Sequence, residues 1–385
     1  MTAPLDRALV ALAQEPDRRR DDLGEAIAAA PGTLADAVIA HGIAGVAHRH
    51  ARHLTDRFPT LLGTLDAARK DIWSRHLITV TDLREVARIF AGLDGPWAVV
   101  KGPVLAEHAY GGPDRRRYLD LDLLVDPRVY GTALELLQGA GVPLLDRNWQ
   151  LIRSSMRAEL SLVMNRRTSI DLHWHLLNEA GLRRRASWNM TELLERAVIH
   201  DVGGQPVPVL EPTDALVHLA AHACLSGAHR MIWLKDIERQ CTAFPVPMDA
   251  LEERARAAGL WGQVNLAMLR AANTFGLPRP VHRPAWTRIN QLLGCDEFRV
   301  ERGFAGTGRT LASATRHTVL GSAVALGATA VQPEASADVP DRRRRWAPAA
   351  PPTLEVLRRD AGSPADRHAY LADVAASSTT PRHDG

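Results

Sequence analysis

From Pro4 to about Leu93 the apolar residues recur three and four apart: Leu9 and Leu12, Ile27, then Val38, Ile39, Ile43 and Val46, then Leu83, Val86, Ile89 and Phe90. Such spacing gathers them on single faces and predicts a helical region over residues 1–93. The pattern changes at Gly95-Pro96. Trp97-Ala98-Val99-Val100 is a short apolar run bounded by turn residues, which reads as a buried strand. Residues 103–110 read as helical and Gly111-Gly112-Pro113-Asp114 as a turn. Tyr118 to Val125 then alternates polar and apolar positions with the period of a strand, which points Asp120 and Asp122 to one face.

A helix over 130–139 and a break at Gly141-Val142-Pro143 follow. Strands are expected over 159–164 and 168–173, linked at 165–167 as a hairpin. Strands and helices alternate through this stretch, so residues 94–210 read as an α+β domain: a small mixed sheet with flanking helices. The helical period returns at Glu211, with Pro212 at a helix start and Leu216, Leu219, Ala220 and Ala223 on one face. Further helices over 229–242, 248–258, 262–275 and 284–293 make 211–331 a C-terminal helical region. The Ala-rich stretch 311–330 is a helix candidate weakened by Gly321 and Gly327. Residues 332–385 are rich in Pro, Ala, Ser and Arg with few apolar residues to bury, which predicts a mostly disordered tail with short helices near 353–359 and 364–374.

Composition narrows the class. The chain has 385 residues, 46% hydrophobic and 24% charged, within the range of ordinary globular proteins. No apolar run is long enough to span a membrane, and the N-terminus carries acids and Pro4 where a signal peptide needs an apolar core, so a cytoplasmic protein without a membrane partner is expected. Cys224, Cys241 and Cys295 are odd in number and lack metal-ligand spacing, which agrees with a reducing compartment. Lys+Arg of 47 against Asp+Glu of 44 leaves a formal charge of +3, too little to point to a nucleic-acid partner. Only Lys70, Lys101 and Lys235 are lysines in this Arg-rich chain, which singles them out slightly.

The candidate chemistry lies on the predicted strands. Asp120 and Asp122 share a face, and Asp171 sits between apolar residues in Ser169-Ile170-Asp171-Leu172-His173. Acids on otherwise apolar strands are costly to bury unless a cation compensates them. Three of them converging would hold one or two hard divalent cations through oxygen, as Mg²⁺ prefers, and could align an attacking oxygen, a phosphoryl centre and a leaving pyrophosphate. A lone D-x-D is more often a solvated strand face; the third acid and an upstream Lys-Gly turn shift the balance. That turn, Lys101-Gly102-Pro103, joins a strand to a helix, where backbone N–H groups can meet a phosphate, and Gly102 allows close approach.

The ordered set VVKG, R-x-x-x-DLDLLV from Arg116, IDLHW from Ile170, and the later VHLAAHA and WLKDIER resembles a bacterial family labelled uncharacterised nucleotidyltransferase, of the DNA polymerase β-like superfamily. The resemblance spans roughly residues 80–300. It implies an enzyme moving a nucleoside monophosphate from an NTP, with ATP the expected donor, to a hydroxyl of a small molecule, peptide or protein, with release of pyrophosphate. It also implies that Asp120 and Asp122 bind two Mg²⁺ ions, that Asp171 completes one metal site and helps activate the acceptor hydroxyl, and that Arg116 lies near the nucleotide phosphates. Many members of the superfamily have Gly-Ser or Gly-Gly where this chain has Gly102-Pro103, and Pro103 offers neither a hydroxyl nor a backbone N–H. Phosphate contacts are therefore expected from Lys101, Gly102, Arg116 and Arg117, with His173 beside the acids.

Other readings stand beside this one. A nucleotide-binding or regulatory protein that keeps the fold without catalysis draws support from Gly102-Pro103, and retention of all three acids opposes it. His173 with His175, and His218 with His222, have spacings that zinc sites use, but no H-E-x-x-H accompanies them and sixteen histidines make such pairs easy. A kinase-like enzyme would need H-R-D and D-F-G, which the sequence lacks. Lys235 beside Asp236 reads as a solvated helical pair or as a group facing the acceptor.

Overall fold

The structure, a computed structural model, describes residues 3–19, 22–165, 167–184, 186–280, several positions between 282 and 300, and 354–377. The predicted helix over 284–293 falls largely outside these residues and the Ala-rich candidate over 311–330 wholly so. The chain opens with helices α1 (Pro4–Ala13), α2 (Leu23–Ala28), α3 (Leu34–Ala40), α4 (Ala44–Ala51) and α5 (Pro59–Phe90). Then come β1 (Trp97–Val99), β2 (Asp120–Val125), α6 (Tyr130–Gly139), α7 (Trp149–Ser155), β3 (Glu159–Met164) and β4 (Thr168–His173). After these follow α8 (Ala180–Arg183), α9 (Met190–Glu195), β5 (Val198–Val202), β6 (Gln205–Val209), α10 (Pro212–Leu225), α11 (Met231–Ala243), α12 (Met248–Ala257) and α13 (Trp261–Phe275). The last are α14 (Leu354–Arg358) and α15 (Pro364–Ala376). No helix among the described residues is long and apolar enough to cross a membrane.

Two compact units divide these elements. One takes the chain up to Lys70 and again from Leu216 through α13; the other takes Asp71 to Ala215 together with α14 and α15.

The second unit is built on a six-stranded mixed sheet in the order β3-β4-β2-β1-β6-β5. β2 runs parallel to β4 and antiparallel to β1, and β3 closes a hairpin on β4. Period-2 alternation splits the central strands cleanly. Leu121, Leu123 and Val125 of β2, Ile170 and Leu172 of β4, and Leu160, Leu162 and Met164 of β3 all enter one buried core. Against them pack Leu83, Val86 and Phe90 of α5 and Tyr130, Leu134 and Leu137 of α6. Asp82 of α5 accepts hydrogen bonds from Asn165 and Thr168, which pins the turn of the β3–β4 hairpin to that helix. The opposite face of the same strands carries the polar positions.

Several elements depart from the sequence pattern. The segment expected as an ordinary helix over 103–110 contains a π-helical turn, Leu105–Ala109. The hairpin β5–β6 was not expected: Pro206 and Pro208 lack the N–H of a normal strand and hid it. They are tolerated because β6 pairs with β1 only at Val209, beyond both prolines. The C-terminal helices do more than a tail with little to bury would allow. Leu357, Tyr370 and Val374 are fully buried in the sheet core, each such burial stabilising by roughly 1.5–3 kcal/mol. Ser363 starts α15 with a capping box to Asp366 and Pro364 at its first turn, a start written in the sequence Ser-Pro-Ala-Asp.

Among the described residues the first unit contains helices and no strand. Its interior holds an ionic cluster: Lys235 is fully buried, with Nζ 3.1 Å from Glu15 Oε1 and 2.9 Å from Glu238 Oε2. Arg239 reaches Glu15 at 3.2 Å and His50 reaches it at 3.3 Å. Lys235 is therefore not part of a solvated helical pair, because two carboxylates and the face of Phe275 enclose its ammonium.

Candidate active site

The polar face of the sheet is assembled by register. Asp122 of β2 stands directly opposite Asp171 of β4, and Asp171 stands opposite Ser161 of β3. One pleat further on, His173 is opposite Glu159, and one pleat back Asp120 is opposite Ser169. Four residues of the expected set, Asp120, Asp122, Asp171 and His173, thus meet on one surface patch, and β3 adds Glu159 and Ser161.

Asp122 is the electrostatic centre. Its Oδ1 lies 3.2 Å from Lys101 Nζ and 3.3 Å from His173 Nε2. Burial alone would raise its carboxyl, but these two cations hold it well below the usual carboxylate range. Lys101 and His173 are in turn raised, since the attraction of Asp122 outweighs the burial that opposes their charge. Asp171 behaves oppositely: burial, then the negative charges of Glu159 and Asp122, push it up to about 7, although Ser161 Oγ donates a hydrogen bond to its Oδ1 at 3.0 Å. Asp120 is also raised, by burial and by Asp122. Glu159 is held by Arg157 at 2.8 Å.

The turn after β1 carries the other half of the set. Gly102 has φ +64, a left-handed conformation in which a side chain is strained, and an added Cβ would lie 3.4 Å from the Asp120 carbonyl. The turn is therefore in contact with the strand that bears the acids. Arg116 is buried and its guanidinium donates to the Gly102 carbonyl at 3.5 Å, so it braces the turn from behind. Arg117, half-buried, joins none of these contacts among the described residues.

A divalent cation can be tested against this donor set. Among the described residues no three His, Cys, Asp or Glu side chains converge into a ready-made cage. Mg²⁺, however, is commonly bound by one or two carboxylates together with substrate phosphates, rather than by protein alone. Asp122 Oδ2 is buried without a hydrogen-bond partner, on a carboxylate held in its charged form. An orphaned anionic oxygen next to two further carboxylates fits a hard cation arriving with a phosphate ligand. The histidine spacings lead elsewhere: His175 Nδ1 accepts from Leu177 N–H at 3.0 Å, while His218 and His222 face each other at 5.9 Å between ring centres.

Sequence reasoning missed Glu159 and Ser161. The predicted hairpin contained the signal, because a link at 165–167 with Met164 opposite Thr168 also sets Ser161 opposite Asp171.

Residues 28–276 match the family model described as uncharacterised nucleotidyltransferase. The solution structure of the antibiotic-resistance factor ANT(2'')-Ia is similar over 47% of this chain and 91% of its own, at 12% identity and a TM-score of 0.33. No curated protein matches the chain in sequence.

Proposed function

The chain belongs to the uncharacterised nucleotidyltransferase family, whose model covers residues 28–276, and from that premise we propose that it moves a nucleoside monophosphate from an NTP, ATP first among them, to a hydroxyl of a small molecule, peptide or protein. The observation that carries this reading is the row Asp122–Asp171 with Asp120 one pleat away, in contact with the Lys101-Gly102 turn. Asp120, Asp122 and Asp171 would hold Mg²⁺, which when bound supplies charge neutralisation at the triphosphate and polarises the α-phosphate.

The side chains divide the remaining work. Lys101 and the backbone at Gly102 bind phosphate oxygens. Arg116 keeps that turn in place, and His173 holds the Asp122 carboxylate in one orientation. Ser161 orients Asp171, whose carboxylate lies toward the acceptor and receives the hydroxyl proton. The acceptor oxygen bonds to the α-phosphorus as the α–β bridging bond breaks, and pyrophosphate departs.

Thermal unfolding with ATP, GTP, CTP and UTP, with and without Mg²⁺, tests the reading. A nucleotide at about 100 times its Kd adds about 2.7 kcal/mol. A Mg²⁺-dependent rise that vanishes in Asp120→Asn supports it, and no rise with any nucleotide sinks it. The neutralisation of Asp122 by Lys101 and His173 favours a second reading, nucleotide binding without transfer. Label in the α-phosphate separates the two, since only transfer moves it to an acceptor.

A further inference from the structure

A chain of hydrogen bonds runs behind the Lys101-Gly102 turn. The Tyr118 hydroxyl shares a hydrogen bond of 3.0 Å with His76 Nδ1, and His76 Nε2–H donates to Glu107 Oε1 at 2.9 Å. Gly203 N–H donates to Glu107 Oε2 at 2.9 Å. The members come from separate places in the sequence: His76 from α5, Glu107 from the π-helical turn that follows Gly102, and Tyr118 from the lead into β2. His76 and Tyr118 are both buried.

The polarity of the chain follows from its carboxylate end. Burial would raise Glu107, but the His76 hydrogen bond and the Gly203 N–H hold it below the usual carboxylate range. An ionised Glu107 accepts only, so His76 donates to it from Nε2 and its Nδ1 is left for the Tyr118 hydroxyl, which can give or take a hydrogen bond. An apolar trio would fill the same space without desolvating three polar groups, so a fixed geometry is what the chain adds.

Its location gives that geometry a use. An added Cβ at Gly102 would lie 3.6 Å from Tyr118 Cδ2, so the tyrosine ring is a floor beneath the turn. Two residues later Asp120 opens β2. Glu107 lies on a π-helical turn, an uncommon form that recurs at functional sites.

We propose that Tyr118, His76 and Glu107 are positioning residues that fix the spacing between the phosphate turn at Lys101-Gly102 and the carboxylates of β2, so that one nucleotide can engage both. The inference rests on the nucleotide reading above.

The test is calorimetric titration of ATP, GTP, CTP and UTP, each with Mg²⁺, into the full chain and its variants, with urea midpoints measured beside it. Tyr118→Phe and His76→Leu are expected to weaken binding about tenfold or more. His76→Gln, whose amide can accept from Tyr118 and donate to Glu107, is expected to recover most of that loss. If His76→Leu does not fold, Tyr118→Phe, which removes a single oxygen, carries the test. Lower urea midpoints with wild-type affinity in Tyr118→Phe and His76→Leu would mark the chain as purely structural and overturn the inference alone, provided Asp120→Asn has lost binding. Absence of binding by the wild type, or undiminished binding by Asp120→Asn, removes the nucleotide reading and this one with it.

Discussion

Asp122 and Asp171 are register partners on adjacent parallel strands, yet their environments drive their carboxyl groups in opposite directions. Asp122 has Lys101 and His173 on one oxygen, whereas Asp171 has a serine hydroxyl and the nearby charge of Glu159. Two acids in one row thus differ in what their removal does to the fold.

Asp122→Ala leaves the half-buried Lys101 and His173 without their shared partner and is expected to destabilise the protein by up to about 3–5 kcal/mol. Asp171→Asn keeps an acceptor for Ser161 and removes a like charge, so stability should stay level or rise slightly. Urea midpoints decide the matter, and equal losses in the two variants would refute the distinction. Nucleotide transfer should fall by orders of magnitude in both.

Lys235→Met removes the buried cation between Glu238 and Glu15, leaving Glu238 with Arg18 at 3.7 Å. A loss of about 3–5 kcal/mol is expected. Adding Glu15→Gln and Glu238→Gln to the same chain should recover part of it. A double-mutant cycle on Lys235 and Glu238 measures the coupling; a coupling near zero would contradict the buried geometry.

Acid should weaken the helical unit first. The hydrogen bond from His50 lowers the Glu15 carboxyl, and Lys235 adds to this against the penalty of burial. A depressed carboxylate contributes stability that is complete above its ordinary value near 4.5 and is lost as pH falls further toward its folded value. His41 is pushed down to about 4 by burial and by Arg230, so its contribution is full above 6.5 and declines between 6.5 and about 4. Unfolding midpoints measured from pH 7 to pH 3 should fall in two stages. Glu15→Gln should flatten the lower stage only.

Tyr370→Phe tests how α15 supports the candidate site. The Tyr370 hydroxyl donates to the Arg157 carbonyl at 2.7 Å and accepts from Trp174 Nε1–H at 3.1 Å. Both partners flank the hairpin that carries Glu159, Asp171 and His173. Trp174 Nε1–H still donates to the Arg157 carbonyl at 2.9 Å, so the expected cost is about 0.5–1.5 kcal/mol, read as a lower urea midpoint, and an unchanged midpoint would show that the hydroxyl contributes nothing.

Much of this was legible in the sequence because the controlling signal was local. Alternation in Asp120-Leu121-Asp122-Leu123 and Ile170-Asp171-Leu172 announced both the strands and their two faces. The helices α11, α12 and α13 follow from unbroken 3.6-residue spacing. What stayed hidden depends on partners far along the chain. Nothing near Glu107 says that His76 will meet it, and nothing near Tyr370 says that a sheet two hundred residues earlier lacks part of its core. Lys235 looked solvated because only one of the carboxylates that enclose it, Glu238, is near in sequence, while Glu15 lies far along the chain. Local chemistry misled at β6, where prolines are permitted only because the neighbouring strand β1 pairs with it at Val209, beyond both of them.

The burial of Leu357, Tyr370 and Val374 also sets an order of events during synthesis. The sheet unit consists of two pieces of chain separated by the residues of the helical unit from Leu216 onward. A nascent chain that has emerged as far as Ala215 holds β1 to β6 and every acid of the candidate site, yet its core still lacks the side chains that α14 and α15 bring. The ribosome must deliver the intervening stretch before those helices can dock. Until then the part of the core that those two helices cover is a surface that a chaperone, or another unfinished copy, can reach.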